Sequence, residues 1–445
     1  MQPSGQARRM LLAFSALLFC WGGLVSQLLD GTIAAALESD IPLPGENAEG
    51  YGWEIQYLAA DAVGKLSLAL DSKGHPHIAY VARIHLEEPL TWYTDSLSIL
   101  SWRDVIKYVR WTGSSWETQI VAEGEDPSLV LDENDRPHLV FWWENFMLDD
   151  NGYIKYAYWN GENWTIQTVD SFRVVYPVNL SVALNAKGLP HLSYFTDGIT
   201  HATWDGKTWK IQLIDSGSRM GGICIAVDIR GFAHIVYEKD EYLKHAKWSG
   251  ENWTIETVDL MSDAPVSKII SLALDTSGFP HISYPARNGH LKYARWNGEN
   301  WITQVVDSKS ETRHTSIALD SRGFPHIAYL DMSRDGLKYA RWDGENWVIM
   351  EVDHGRVGQY TSYPVGVYPS IAVDENGIPH IAYTTRPWAF SYTIKYARWT
   401  RLQPSPLPWV IYGNRGRGSH TNSRSENETK ERRPSQLKLN CPASI

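Results

Sequence analysis

The sequence predicts an all-β fold: a seven-bladed β-propeller of four-stranded antiparallel blades, closed by an N-terminal strand that completes the last blade. Three observations predict it. One unit of roughly 50 residues recurs along the chain, every copy reads as four short strands, and the last copy lacks a strand that the first has to spare. The units are marked by a recurrent histidine at His77, His138, His191, His234, His281, His326 and His380, spaced by 61, 53, 43, 47, 45 and 54 residues.

The clearest copy runs from Ser271 to Asp307. Its segments Ser271 to Asp275, His281 to Tyr284, Leu291 to Trp296 and Trp301 to Val306 are short, rich in β-branched and aromatic residues, and bounded by turn signals; they are strands A, B, C and D. Between A and B an Asp-x-x-Gly turn (Asp71 to Gly74, Asp275 to Gly278, Asp320 to Gly323) pairs a carboxylate for the turn backbone with a glycine that accepts positive φ. Between C and D stands Asn-Gly or Asp-Gly (Asn160-Gly161, Asp205-Gly206, Asn297-Gly298, Asp343-Gly344), a strong hairpin signal. After Trp399 no D strand follows, while Gly52 to Leu58, ahead of the first A strand, reads as an orphan D strand. Pairing the two closes the ring and covers its edges.

Composition fits such a core. The 445 residues are 43% hydrophobic, and 14 of the 21 Trp fall at repeat positions beside the C–D turn. Cys20, Cys224 and Cys441 lie in unrelated contexts, so neither a disulfide framework nor a metal site is predicted, and no cofactor. A net charge of −10 argues against nucleic acid as partner. Residues 1–36 read as a secretory signal or membrane anchor, with Arg8 and Arg9 before the apolar run Met10 to Val25 and small residues Ala34 to Ala36 after it. The expected location is extracellular or at the cell surface, with membrane contact only if that segment stays uncleaved. Residues 37–51 are read as a linker, 52–400 as the propeller and 401–445 as a disordered basic tail.

The units Ser-Leu-Ala-Leu-Asp-Thr-Ser-Gly-Phe-Pro-His-Ile-Ser-Tyr and Leu-Lys-Tyr-Ala-Arg-Trp-Asn-Gly-Glu-Asn-Trp resemble the repeat of secreted bacterial and archaeal seven-bladed propeller proteins over residues 53 to 400. That resemblance implies the fold and no particular activity. Sialidases share the general propeller shape, but their Ser-x-Asp-x-Gly-x-x-Trp box is absent as such.

Residues that recur in every unit are expected to serve the architecture: the seven histidines as hydrogen-bonding groups and the turn aspartates as caps, not as a calcium site. Function is sought in what varies. Successive antiparallel strands put the A–B and C–D turns on one rim and the B–C and D–A connections on the other, and only the second rim varies in length. Trp92, Trp102, Trp142, Trp143 and Trp388 all fall at or just after the end of a B strand, in units one, two and seven. Six residues after the repeat histidine stand Arg83, Arg287 and Arg386 in units one, five and seven, but Glu144, Asp197 and Asp240 in units two, three and four. An arginine group opposite a carboxylate group could grip an anionic substrate.

The expected function is therefore a secreted monomeric binding module for carbohydrate or an extracellular protein, acting through the rim of units six, seven, one and two. The expected contacts are Trp92, Tyr93, Trp142, Trp143, Trp388 and Tyr392 as stacking faces, with Arg83, Arg386 and Glu144 as polar partners. The alternatives are a sialidase-like glycoside hydrolase or lyase on the same rim, with Glu144 and Asp149 or Asp150 as its acids, and a purely structural module.

Overall fold

The structure is a computed structural model that describes residues 42–45, 49–90, 100–144, 151–173, 179–217, 221–261, 269–286, 288–334, 336–354, 365–388 and 391–402; the side chains of 86–90, 100–101, 365–366, 386–388 and 391 lie outside that description. The secondary structure of the described residues is β throughout. Five four-stranded antiparallel sheets accompany one seven-stranded sheet, which arises because the 20-residue strand Tyr51–Leu70 is shared. Its first part pairs with Ser391–Arg401, from Tyr51 opposite Arg401 to Ala62 opposite Tyr392, and its last part pairs with Pro76–Leu90, from Ala62 opposite Ala82 to Leu70 opposite Pro76. Arg401, assigned from sequence to the tail, thus belongs to a sheet. Within the expected linker, Pro42 and Pro44 are docked: their carbonyls accept hydrogen bonds from Trp399 Nε1 at 2.7 Å and Arg341 Nε at 2.6 Å. Residues 1–36, expected to be a signal or membrane anchor, and residues 403–445 lie outside the described residues.

The innermost strands touch in cyclic order: Tyr51–Leu70, Glu125–Leu131, Leu180–Leu184, Ile223–Val227, Ser271–Leu274, Thr312–Leu319, Val365–Val373, and back to Tyr51–Leu70. The fold is a β-propeller. A hydrogen-bond cycle runs around its axis, because four residues before each turn Asp (Asn185 in the third unit) stands a serine or, once, a cysteine. Leu129 N–H donates to Ser67 Oγ, Val182 to Ser128, Ile225 to Ser181, Leu272 to the Cys224 sulfur, Ile317 to Ser271, Ile371 to Ser316 and Leu68 to Ser370. Each bond satisfies a backbone donor between neighbouring inner strands; six cross from one sheet to the next, and Leu68 to Ser370 joins two strands of the seven-stranded sheet.

A second cycle explains the tryptophans. Each C–D turn brings two indoles together, as in Trp296 and Trp301 at 5.5 Å, and Trp53 meets Trp399 at 5.5 Å across the shared strand. The D-strand indole also packs edge-on against a strand C ring of the preceding sheet: Tyr293 against Trp347, Tyr339 against Trp53, Tyr396 against Trp116. Its Nε1 donates to a residue three past the previous sheet's own indole, as in Trp164 to Gln119 and Trp347 to Gln304. At Trp53 that position is Met350, and Trp53 Nε1 is buried without an acceptor.

The recurrent histidines are buried hydrogen-bonding groups. Nδ1 of His281, His326 and His380 meets the hydroxyl of Tyr293, Tyr339 and Tyr396 at 2.7, 2.7 and 2.5 Å. In the third and fourth units a histidine replaces the tyrosine, giving the pairs His191–His201 at 3.2 Å and His234–His245 at 3.1 Å. The turn aspartates cap their own turns; Asp320 accepts from the backbone of Arg322 and Phe324 at 2.9 and 2.8 Å.

Candidate functional site

The axis widens into a cavity of about 150 Å³ at the end where the A strands begin, which is the rim of the B–C and D–A connections. Its wall comes from three successive register positions; at the first, six residues before each turn Asp or Asn, Lys65, Asp126, Asn179, Gly222, Ile269 and Tyr368 line it, and His314 has that register in the remaining unit. Two residues further along each strand the chain keeps the Ser or Cys of the axial hydrogen-bond cycle. The fold therefore dictates the one position and leaves the other open. Lys65 Nζ donates to Asp126 Oδ2 and to Asn179 Oδ1, both at 2.8 Å, and Asn179 Nδ2 donates to the Gly221 carbonyl at 3.1 Å. Between the sixth and seventh units His314 stacks on Tyr368 at 4.9 Å and 13°. Asp126 and Tyr368 both hold φ near +52°. For side-chain-bearing residues that left-handed conformation costs about 1 kcal/mol or more.

Beside the cavity, units one and two build a charged mouth. Arg83 forms a two-pronged pair with Asp104 (Nε to Oδ1 and Nη2 to Oδ2, both 2.7 Å), directly opposite it on the neighbouring strand. Its guanidinium lies 5.4 Å from the ring of Trp102, which is 41% exposed. Glu125 stands at the start of the next inner strand; partial loss of hydration raises its carboxyl pKa, repulsion from Asp104, Asp126 and Glu144 adds to the rise, and Arg83 opposes it. The Glu144 carboxyl is raised as well, by loss of hydration. Both carboxyls hold a proton more readily than a free glutamate.

The two adjacent tryptophans of unit two separate, because successive strand residues face opposite ways. Trp142 is 5% exposed and packs with Ile154, Phe172 and Tyr194, which removes it from the expected contact set. Its indole lies over Gly152, where an added Cβ would sit 1.5 Å from Cη2. Trp143 stays half-buried, 5.3 Å from Tyr153, with Lys155 Nζ 5.2 Å from its ring. The lysine is there for a structural reason. In other units the strand C lysine pairs with an Asp at the end of the previous D strand, as Lys292 with Asp259 and Lys395 with Asp353, and that Asp also accepts from a strand B tyrosine, as from Tyr284 and Tyr383. In unit two the Asp position is Ala122 and the Tyr position Phe141, so Lys155 turns to aromatic faces, and burial lowers its pKa.

The remaining expected contacts are divided. Arg83 and Glu144 belong to the mouth. Tyr392 is half-buried against the core of the first and last sheets, which reduces its value as a stacking face. Arg386 and Trp388 lie in the strand Pro379–Trp388, but their side chains are outside the described residues, as are Trp92, Tyr93, Asp149, Asp150 and Arg287 altogether. The expected grip of an arginine group on an anion is corrected at Arg83, whose charge is met by Asp104. Sequence reasoning missed Lys65, Asp104, Glu125, Asp126, Asn179 and Tyr368. Aligning the A strands on the turn Asp was the available signal.

No family model matches the chain, and no curated protein matches it. Among solved structures, a protein of unknown function from Dyadobacter fermentans is 11% identical at a TM-score of 0.43, over 78% of this chain and 99% of its own. A six-bladed β-propeller lectin from Aleuria aurantia is 12% identical at 0.46, over 69% and 100%. A Hadza microbial sialidase is 13% identical at 0.43, over 77% and 66%. Likenesses this distant assign no function, and the propeller architecture rests on the sheet order and hydrogen-bond cycles of this chain.

Proposed function

We propose that the chain is a secreted seven-bladed β-propeller that binds a neutral carbohydrate end group at the axial cavity and its charged mouth. Seven blades are supported by the cyclic order of the inner strands and by one axial hydrogen bond between each neighbouring pair of them. Secretion is supported by Arg8, Arg9 and the apolar run that follows them. The observation that carries the binding reading is the open register position at the axis. Where the Ser or Cys column two residues further on repeats, this one supplies Lys65, Asp126, Asn179 and Tyr368, two of them in a costly backbone conformation.

Neutrality follows from charge. Asp104, Glu125, Asp126 and Glu144 outnumber Arg83 and Lys65, and both cations are already paired, so an anionic sugar would meet repulsion. Hydroxyls can bond to Asn179, Lys65 and the acids, while the exposed face of Trp102 offers an apolar wall. A glycan array comparing wild type with Asn179→Ala and Trp102→Ala tests this. The expected result is retention of neutral glycans by wild type and at least about a tenfold loss in each variant, about 1.4 kcal/mol. No retained glycan, or binding indifferent to both changes, would refute it.

A glycoside hydrolase is the second reading, favoured by the raised carboxyl of Glu125 among three neighbouring acids, the setting of a general acid. Chromogenic glycosides cleaved by wild type and not by Glu125→Gln would select it over simple binding.

A further inference from the structure

The opposite rim, whose short turns nearly repeat from unit to unit, carries its own set of clefts. Three cavities, of about 290, 240 and 430 Å³, lie at three boundaries between neighbouring sheets and are built from the same repeat positions. One wall is the strand C indole of the later sheet: Trp111, Trp296 or Trp342. Beside it stands the ring before the repeat proline: His75, Phe279 or Phe324. The facing wall brings a cation from the earlier sheet, Arg398, Lys247 or Arg295, and an amide or acid, Gln56, Glu256 or Gln304. The floor is the repeat histidine.

That floor is the second observation. His234 and His380 are 0% and 1% exposed, their Nδ1 atoms are engaged by His245 and Tyr396, and their Nε2 atoms make no hydrogen bond within the protein. The nearest carboxylates, Asp228 and Asp374, stand at 3.9 and 3.6 Å, beyond hydrogen-bond range. Both nitrogens have almost no accessible surface, so the imidazoles close the base of the cleft from beneath and leave the indole, the cation and the amide or acid to meet a ligand.

The geometry points to a repeated ligand site on this rim, one per cleft, for a neutral pyranose. An aromatic wall covers the C–H face of such a ring. The cation donates to its hydroxyls, and the amide or acid beside it completes a mixed donor and acceptor set. The clefts set a carboxylate near their cation, Asp374 near Arg398 at 3.9 Å, Asp275 in the cleft of Arg295 and Glu256 in that of Lys247, which favours a vicinal diol over an anion. The site is independent of the axial cavity, which lies at the other end of the A strands.

Equilibrium dialysis of the full chain against radiolabelled methyl glucopyranoside, galactopyranoside and mannopyranoside counts the sites. Beyond any equivalent that Asn179→Ala removes at the axis, at least one glycoside is expected to bind with about three equivalents per chain, falling to about one in the Arg295→Ala, Lys247→Ala double variant, which leaves the Arg398 cleft intact. Arg295 is exposed, so the variant is expected to keep the wild-type melting profile, which is measured alongside. The proposal is overturned if none of the three binds, if a single equivalent is lost on Asn179→Ala, which would place all binding at the axis, or if a folded double variant keeps the wild-type count.

Discussion

Replacing His201 and His245 by tyrosine, the residue that the other five units carry at that position, should make the protein markedly less sensitive to acid. Burial lowers the pKa of His191 to about 4 and of His201 to about 3, and the proximity of His191 adds to the shift at His201. The same holds for His234, at about 4, and His245, at about 3. The unfolded chain takes up these protons near the ordinary histidine value of 6.5, so below that pH it binds more protons than the folded chain and stability falls as pH falls. Between pH 8 and pH 5 each imidazole that must stay neutral costs about 2 kcal/mol. The double tyrosine variant removes two of these four titrations and should lose about 4 kcal/mol less over that interval. At pH 8 it should be close to wild type, since a Tyr hydroxyl can meet His191 or His234 as Tyr293 meets His281, and its ring can face Trp253 or Trp301 as Tyr293 faces Trp347. Urea unfolding followed by tryptophan fluorescence at both pH values gives the difference. An acid sensitivity equal to that of wild type within about 1 kcal/mol would refute the claim that the histidine pairs are held neutral by burial.

Two further changes test the packing. Met350→Gln supplies the acceptor that Trp53 Nε1 lacks and should stabilise the closure by about 1 kcal/mol in urea unfolding; a neutral or harmful effect would mean the indole N–H is already satisfied. Gly152→Ala drives a methyl group into the Trp142 indole and should cost about 1–3 kcal/mol, with near-ultraviolet circular dichroism reporting the displaced ring.

What the sequence makes legible is what recurs. The Asp-x-x-Gly and Asn-Gly turns, the fourteen repeat indoles and the orphan strand before the first unit can be read because seven copies average out local accident, and each recurrence corresponds to a turn, a ring pair or a strand pairing of the fold. The site is less legible, for physical reasons that differ by residue. Lys65 and Asp126 sit inside strands and Asn179 just before one, where their role depends on a circular closure that brings together positions 61 and 53 residues apart along the chain. Arg83 looks available until Asp104 is placed across from it, and only the register between the two strands reveals that pairing. Trp142 and Trp143 could have been told apart from sequence, since adjacent strand residues face opposite sides and one of the two had to enter the core. The exchange of Asp and Tyr for Ala122 and Phe141 is visible in aligned units, but its consequence, Lys155 resting on Tyr153 and Trp143, follows from geometry alone.

The central claim is that the open column at the axis is where a ligand is held. A crystal structure of the protein soaked with the glycan it retains best on the array tests that most directly. The account predicts a sugar ring in the axial cavity within hydrogen-bond distance of Lys65 Nζ and Asn179, with Trp102 along one face of the glycan. A retained glycan found only elsewhere on the molecule, with the axial cavity filled by solvent, would contradict it.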